Sequence, residues 1–368
     1  MTRLHLTNMR KLLIAGVLAM AIVACSEAPE PTNTPTSPPP TDTPVSAPEP
    51  LSVVASIYPM QYFAERIGGD RVEVVTLVPP GVEAHAFELT ASQLLMIAEA
   101  DVVAINGLTL LPWLHRALES LGNDVSGIVV EAAYAEAALP FVEDGHEDEH
   151  GHMEGDEHGH EDEDEHGHED EDEHGHMEGD DHGHEGEDDH GHGEFDPHFW
   201  LDPLLAVTQA ERIAGALIEA DPEGADVYRA NLATLSSELG ALHAEFEAGL
   251  SSCVHQEFVT SHSAYGYLAQ AYSLEQVGIA GLSPEAEPSP QRLAAIADRI
   301  KELGITAVLL EPVLSGENER ALADETGAGI YRIHSIESVT QAELDEHGDY
   351  FGLMRDNLKS LSAAMECS

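Results

Sequence analysis

The sequence predicts an α/β protein with two lobes, and three observations support that fold class. Short apolar, β-branched runs alternate with helical periodicity over residues 51–130 and again over residues 257–364. Between these two stretches lies a long run of helical character with little strand signal. Alternating strands and helices with short connections favour a mostly parallel sheet covered on both faces. We therefore expect two such lobes joined by a long helix, with a ligand site in the cleft between them.

Residues 1–24 have the pattern of an export signal and not of a folded segment. Basic residues precede an apolar run, residues 12–24, that is too short for a comfortable membrane span. The run ends at Cys25, as in the bacterial lipoprotein box, so we expect Cys25 to be lipidated and to become the N-terminus. The alternative is a generic signal peptide with a coincidental cysteine. Cys25 and the following residues to 50 form a predicted extended linker, because nine prolines lie between residues 26 and 50.

The first lobe is predicted to span residues 51–202. Thr90, with Gln93 three residues later, has the pattern of a helix-capping box. The predicted strands are Leu51–Ile57, Val72–Val78, Asp101–Asn106 and Gly127–Val130, and the predicted helices are Met60–Ile67, Leu94–Ala100 and Pro112–Leu121.

Residues 203–250 are predicted to form the connecting helices, and residues 251–368 the second lobe. The connecting helices are expected at Pro203–Ala220 and Glu223–Leu250, where apolar residues recur at helical spacing. The predicted strands of the second lobe are Glu257–Thr260, Gln276–Ala280, Ile305–Leu310 and Gly329–Ile333, and its predicted helices are Ala264–Tyr272, Pro290–Leu303, Glu317–Glu325 and Asp349–Ala364.

The charge of the chain is concentrated in one tract, residues 143–194. The chain carries 69 acidic and 15 basic residues, a net charge of −54, which excludes nucleic-acid binding through a basic surface. The tract holds 26 of the acids, 13 histidines and no lysine or arginine. It contains His-Gly-His six times at a period of eight residues. We expect a disordered loop that binds divalent metal weakly at many sites, with a solvated charge run as the alternative.

Two cysteines, Cys253 and Cys367, remain in the predicted folded part. Outside the cytoplasm an even pair favours a disulfide. Metal thiolates are the weaker alternative, because neither cysteine lies in a Cys-x-x-Cys or Cys/His cluster.

Four residues outside the tract are candidate metal ligands: His85, His198, His262 and Glu337. Three of them follow predicted strands, where open α/β sheets bind their ligands. Two come from each predicted lobe, and three imidazoles with one carboxylate suit Zn²⁺ in a roughly tetrahedral shell. A zinc hydrolase is the competing class, but outside the acidic tract the chain has no His-Glu-x-x-His motif. We therefore expect a binding protein and not an enzyme.

Several motifs resemble those of the metal-binding lipoproteins of bacterial ABC importers, specifically the zinc-uptake branch. Residues 80–93 match the family pattern Pro-Gly…His…Glu-x-Thr-x-x-Gln. Residues 196–203 read Asp-Pro-His-Phe-Trp-Leu-Asp-Pro, which matches a highly specific family motif. Residues 260–267 and 281–289 match two further stretches. The resemblance runs from about Leu51 to Cys367 and is interrupted where the family's zinc members also carry a His-rich loop.

The resemblance implies that His85, His198 and His262 are metal ligands. The fourth family ligand is an acidic residue or a water, and Glu337 aligns best with it. His334 is the runner-up, and Glu311 and Glu83 are more distant alternatives. Family members join their lobes by a rigid helix, so the resemblance also implies little hinge closure.

The implied function is capture of Zn²⁺ outside the cytoplasm and its delivery to an ABC permease driven by an ATPase. We expect a monomer that meets the membrane only through its lipid anchor. Three neutral imidazoles favour Zn²⁺ over Mn²⁺, which prefers more carboxylate oxygen. A manganese importer component and a surface metal buffer or adhesin remain the alternative functions.

Overall fold

The computed structural model describes residues 49–141 and 195–368. The predicted signal sequence, the predicted lipidation site Cys25, most of the linker and the whole acidic tract lie outside these described residues. The predicted boundaries of these segments therefore remain predictions.

The first lobe is built on a four-stranded parallel sheet of order β2-β1-β3-β4. Strand β3 is buried at every residue, as expected for a strand covered by helices on both faces. Its elements are β1 (Leu51–Ala55), α1 (Tyr58–Gly68), β2 (Val72–Thr76), α2 (Ala91–Glu99), β3 (Val102–Ile105), α3 (Pro112–Leu121) and β4 (Ile128–Glu131).

Two helices connect the lobes, α4 (Pro203–Ala220) and α5 (Ala225–Leu250). Asp202 caps α4 because its side chain accepts a hydrogen bond from the Leu204 amide, and Pro203 occupies the first turn, where no amide donor is needed. Helix α5 packs against α1 of the first lobe and against α10 (Tyr350–Ala364) of the second. It is therefore shared between both lobes.

The second lobe repeats the parallel strand order of the first, as β6-β5-β7-β8. The last of its helices is α10, defined above. Its other elements are β5 (Glu257–Thr260), α6 (Gly266–Ala271), β6 (Glu275–Gly278), α7 (Pro290–Leu303), β7 (Ala307–Leu310), α8 (Glu317–Thr326), β8 (Gly329–Arg332) and α9 (Gln341–His347).

One apolar core runs from the first sheet through the connecting helices into the second lobe. Trp200 and Tyr350 lie within it and are fully buried. The Trp200 indole N–H donates to the Ser335 carbonyl at 2.6 Å, and the Tyr350 hydroxyl donates to the Trp200 carbonyl at 2.5 Å. A smaller core fills the other side of the second sheet. The fold class predicted from the sequence is confirmed.

Element boundaries differ from the sequence prediction in small ways, and one helix was missed. Helix α2 begins at Ala91 directly after its Thr90 cap, and the predicted capping box is present. Helix α5 begins at Ala225, after a 3₁₀ turn at Pro222–Gly224. Helix α9 was not predicted, because its seven residues are too few to display a helical period.

Cys253 and Cys367 form a disulfide in the structure. The amides of Val254 and His255 both donate to the Met365 carbonyl, so the two segments that the disulfide joins are also hydrogen-bonded to each other. It ties the segment after α5 to the segment after α10. Within the described ranges, no helix combines the length and the apolar character that crossing a bilayer requires.

Candidate metal centre

The structure brings His85, His198, His262 and Glu337 together in the cleft between the lobes. One ligand atom from each residue lies within 4.8 Å of all the others. His85 follows β2, His198 precedes α4, His262 follows β5 and Glu337 follows β8. The common topology of the two sheets therefore places two candidate ligands from each lobe at one point.

The distances at this point suit a single small ion. Glu337 Oε2 lies 3.2 Å from His85 Nε2, and Glu337 Oε1 lies 3.6 Å from both His198 Nε2 and His262 Nε2. His198 and His262 are at most 1% exposed, and Glu337 is 4% exposed. His85 is the most accessible member, with a side chain that is 11% exposed.

The converging atoms have no hydrogen-bond partners. The Nε2 atoms of His85, His198 and His262 and Oε1 of Glu337 are all buried and unbonded. A buried polar atom without a partner costs about 1–3 kcal/mol, so four at one point are unfavourable unless another group satisfies them. A metal ion accepts all four lone pairs at once, and the donor set fits Zn²⁺.

Buried carboxylates orient two of the three imidazoles. His198 Nδ1 lies 2.7 Å from Asp196 Oδ1, and His262 Nδ1 lies 2.5 Å from Glu311 Oε1. When metal is bound, a proton held on Nδ1 by such a carboxylate leaves Nε2 free to coordinate the ion. These pairs fix both the ring orientation and the tautomer that coordination requires.

The carboxylate partners are in turn held by the protein. The Glu311 amide donates to Ser261 Oγ at 3.2 Å, and Glu311 itself is 1% exposed. Tyr267 donates its hydroxyl hydrogen to the Asp196 carbonyl at 2.6 Å. Gly266 lies so close to Asp196 that a β-carbon there would be 2.6 Å from Oδ2. The residues that hold the two imidazoles in place therefore come from both lobes.

His85 is held through its backbone instead of its ring. The His85 and Ala86 amides donate to the two carboxylate oxygens of Glu83 at 2.9 and 2.8 Å. The turn before it needs Gly81, which has φ +74° and lies against Thr340 of the second lobe. This ligand therefore sits on a turn that contacts the opposite lobe.

Glu337 is positioned by a strained backbone. The preceding residue, Ile336, has φ +64°, a conformation that is rare for a β-branched residue and costs of the order of 1–3 kcal/mol. The Glu337 carbonyl accepts a hydrogen bond from the Tyr58 amide of the first lobe. This strain is retained because Ile336 is buried and its neighbours fix it in place.

The protonation states follow from these charges. Burial favours a higher pKa for Glu337, but His85, His198 and His262 outweigh it and hold that pKa well below its usual range. Burial favours a lower pKa for His262, but Glu311 and then Glu337 outweigh it and raise the pKa to about 10. Asp196 and Glu337 likewise overcome burial and raise the pKa of His198. Protons therefore occupy the centre when metal does not.

The alternatives considered for the fourth ligand lie elsewhere. His334 is not in the cluster but lies beside α9, where burial lowers its pKa. Glu311 contacts the far nitrogen of His262, and Glu83 binds backbone amides.

Sequence reasoning missed the role of Asp196, although its position two residues before His198 in the motif was a usable signal. It also missed Tyr265, whose buried, unbonded hydroxyl lies in the field of Glu311 and Glu337.

Fold and site together define a two-lobed α/β protein with a closed histidine–carboxylate centre between its lobes. The family model described as ZnuA, zinc-uptake complex component A, periplasmic, matches residues 53–364. The chain therefore belongs to the ZnuA family, and the resemblance to the zinc-uptake branch is confirmed.

Individual relatives agree with this membership. The chain is 31% identical to the high-affinity zinc uptake system protein ZnuA of Bacillus subtilis, over 86% of this chain and 88% of that protein. It is 29% identical to the zinc-binding lipoprotein AdcA of Streptococcus pneumoniae, over 95% of this chain but 60% of AdcA's own length. The Zn(II)-bound ZnuA-like domain of AdcA superposes with a TM-score of 0.65 at 26% identity, over 86% of this chain and 99% of that domain.

Proposed function

We propose that this protein captures Zn²⁺ outside the cytoplasm and delivers it to an ABC importer. The observation that carries the proposal is the convergence of four buried, unbonded ligand atoms from His85, His198, His262 and Glu337. Zinc-uptake proteins among the relatives support the same cargo. The proposed partners are the permease and its ATPase. The proposed attachment to the membrane is a lipid anchor at Cys25.

The donor set favours Zn²⁺ over Mn²⁺. Three imidazoles and one carboxylate suit a borderline-soft ion, while Mn²⁺ prefers more oxygen ligands. Four protein ligands also fill a tetrahedral shell, whereas catalytic zinc sites keep a position open for water. The centre is therefore built to hold the ion and release it, and not to activate a substrate.

Metal binding by the complete chain and by a variant lacking residues 144–193 tests the proposal. Competition with a chelator should reveal one tight zinc equivalent in both proteins. His198→Ala should abolish that equivalent, whereas His115→Ala, a partly exposed histidine on α3, should leave it unchanged. Several weak equivalents that vanish with the tract would instead support the metal-buffer function.

Transport is tested in the bacterium that encodes the chain. Replacing the gene with the His198→Ala version should lower zinc accumulation and growth at limiting zinc, while the His115→Ala version should not. Unchanged zinc uptake in the His198→Ala strain would contradict the transport proposal even if the purified protein binds zinc.

A further inference from the structure

A second group of histidines and carboxylates lies beside the loop that carries Glu337. We call it the rim cluster, and it consists of His334, Glu343, His347 and Asp356. His334 follows β8, Glu343 and His347 lie one turn apart on α9, and Asp356 lies on α10. The two imidazole rings approach with their centroids 5.4 Å apart. None of these four residues belongs to the metal centre described above.

Two members of the rim cluster face each other without a hydrogen bond. His334 Nδ1 lies 3.6 Å from Glu343 Oε1, which is beyond hydrogen-bonding distance. The other oxygen, Glu343 Oε2, accepts from the amide and the hydroxyl of Thr340 at 2.8 and 2.7 Å. The capping box therefore uses one oxygen of Glu343 and leaves the other directed at the His334 ring.

The backbone beneath these two residues is fixed. Asn357 on α10 accepts a hydrogen bond from the His334 amide at 2.8 Å and donates to the His334 carbonyl at 2.7 Å. The His334 side chain is 9% exposed and that of Glu343 is 16% exposed. A buried amide clamp and a capping box thus hold two potential ligands in place, as preorganised sites require.

Asp356 is the most exposed member of the rim cluster. His347 Nδ1 pairs with Asp356 Oδ2, and their side chains are 16% and 36% exposed. The carboxylate of Asp356 can therefore rearrange around an ion that lies beside the rings of His334 and His347. Two imidazoles and two carboxylates are ligands that Zn²⁺ accepts.

We propose that the rim cluster is a second, weaker site for Zn²⁺, formed by His334, Glu343, His347 and Asp356. Among the described residues, only the main centre has its ligand atoms already within 4.8 Å of one another, so the rim cluster must close around its ion. That reorganisation makes the rim site weaker than the main centre. The alternative is two ordinary ion pairs, one that holds α9 against the segment after β8 and one that holds α9 against α10.

A bound ion would link both ends of the segment that carries Glu337. His334 lies three residues before Glu337, and the Thr340–Glu343 capping box follows it. The rim site would thus contact the loop of the main centre without sharing a ligand with it. This inference does not depend on the transport function, because it concerns metal binding at a different group of residues.

Anomalous diffraction at the zinc edge, on crystals of the complete chain, tests the proposal. With one equivalent of zinc we expect a single peak at His85, His198, His262 and Glu337. With excess zinc we expect a further peak between His334 and His347. Absence of the further peak at excess zinc would overturn the rim site, and the first peak reports independently on the main centre.

Variants at the accessible side chains make the test specific. His347→Ala and Asp356→Asn should each remove the second peak and lower the zinc stoichiometry in solution by one equivalent. The matched control is His243→Ala on α5, a partly exposed histidine whose ring contacts Tyr272. It should keep both the peak and the stoichiometry. A second peak that survives in His347→Ala would show an ion held by other groups and would refute the assignment.

Discussion

The three imidazoles of the metal centre are supported in different ways. His198 and His262 each have a buried carboxylate on the far nitrogen, while His85 is fixed through the backbone of its turn. The first two rings are therefore locked before metal arrives. His85 is the most exposed of the four candidate ligands. Under the proposed function, we therefore expect His85 to be the last of the four to bind zinc and the first to release it.

Changing Glu311 to Gln should weaken zinc binding without unfolding the protein. Glutamine keeps the shape but removes the charge that stabilises the metal-facing tautomer of His262. We expect a loss of about 10–100-fold in zinc affinity, measured by chelator competition. Glu319→Gln is the matched control, because Glu319 is a buried carboxylate on α8 that contacts no ligand imidazole. Equal affinities for Glu311→Gln and the unchanged protein would refute this role.

Zinc binding should release protons at neutral pH. Without metal, Glu311 and Glu337 raise the pKa of His262 to about 10, so this ring is protonated at pH 7. Coordination requires the unprotonated Nε2, so zinc must displace that proton. The affinity should therefore fall as pH decreases, by about tenfold per pH unit for each proton displaced.

Calorimetry of the first zinc equivalent in buffers of different ionisation enthalpy measures this release. Glu311→Gln should release fewer protons, because it loses the charge that raises the His262 pKa. An affinity that stays constant between pH 6.5 and 8 would contradict the expectation.

At the scale of elements, strands and long helices could be predicted from the sequence, because buried parallel strands are continuous apolar runs and α4 and α5 show helical spacing. Helix α9 could not be predicted, although Thr340 and Glu343 carry the capping-box pattern.

The four candidate ligands could be predicted from the motif resemblance and, for three of them, from their places after strands. The pairing of His262 with Glu311 could not be predicted, since 49 residues separate them and only the folded second sheet brings them together.

Removing the disulfide should destabilise the fold and spare the metal centre. The bond between Cys253 and Cys367 closes a loop with a sequence separation of 114 residues. Loss of such a cross-link typically costs about 2–5 kcal/mol in the free energy of unfolding. The double variant Cys253→Ser/Cys367→Ser should therefore unfold at lower urea concentration, and reducing agent should have no further effect on it. A zinc affinity that fell with stability would show that the bond also shapes the centre.

At the scale of the whole molecule, charge is divided between two parts. The tract at residues 143–194 carries 26 acids and no bases, and the rest of the chain carries 43 acids against 15 bases. A dense negative segment raises the local concentration of cations and speeds their encounter with a nearby site, an effect that salt screens. The tract should therefore act on the rate of zinc capture more than on the affinity of the main centre.

Deleting residues 144–193 should slow zinc association at low ionic strength by roughly tenfold and leave the affinity of the first equivalent unchanged. Stopped-flow measurement of zinc association at low salt and at high salt tests this expectation. Screening at high salt should bring the association rates of the intact protein and of the deletion variant closer together. Equal association rates at low salt would show that the tract does not collect metal for the centre.

The division of ligands between the halves has a consequence for biogenesis. His85 and His198 belong to the first lobe and its connection to α4, and His262 and Glu337 belong to the second lobe. The Glu337 carbonyl also accepts a hydrogen bond from the Tyr58 amide of the first lobe. A chain of which only the first lobe has folded thus carries two of the four candidate ligands. Under the proposed function, tight zinc binding therefore requires both lobes to be folded, so a zinc-loaded centre would report that the polypeptide has matured correctly.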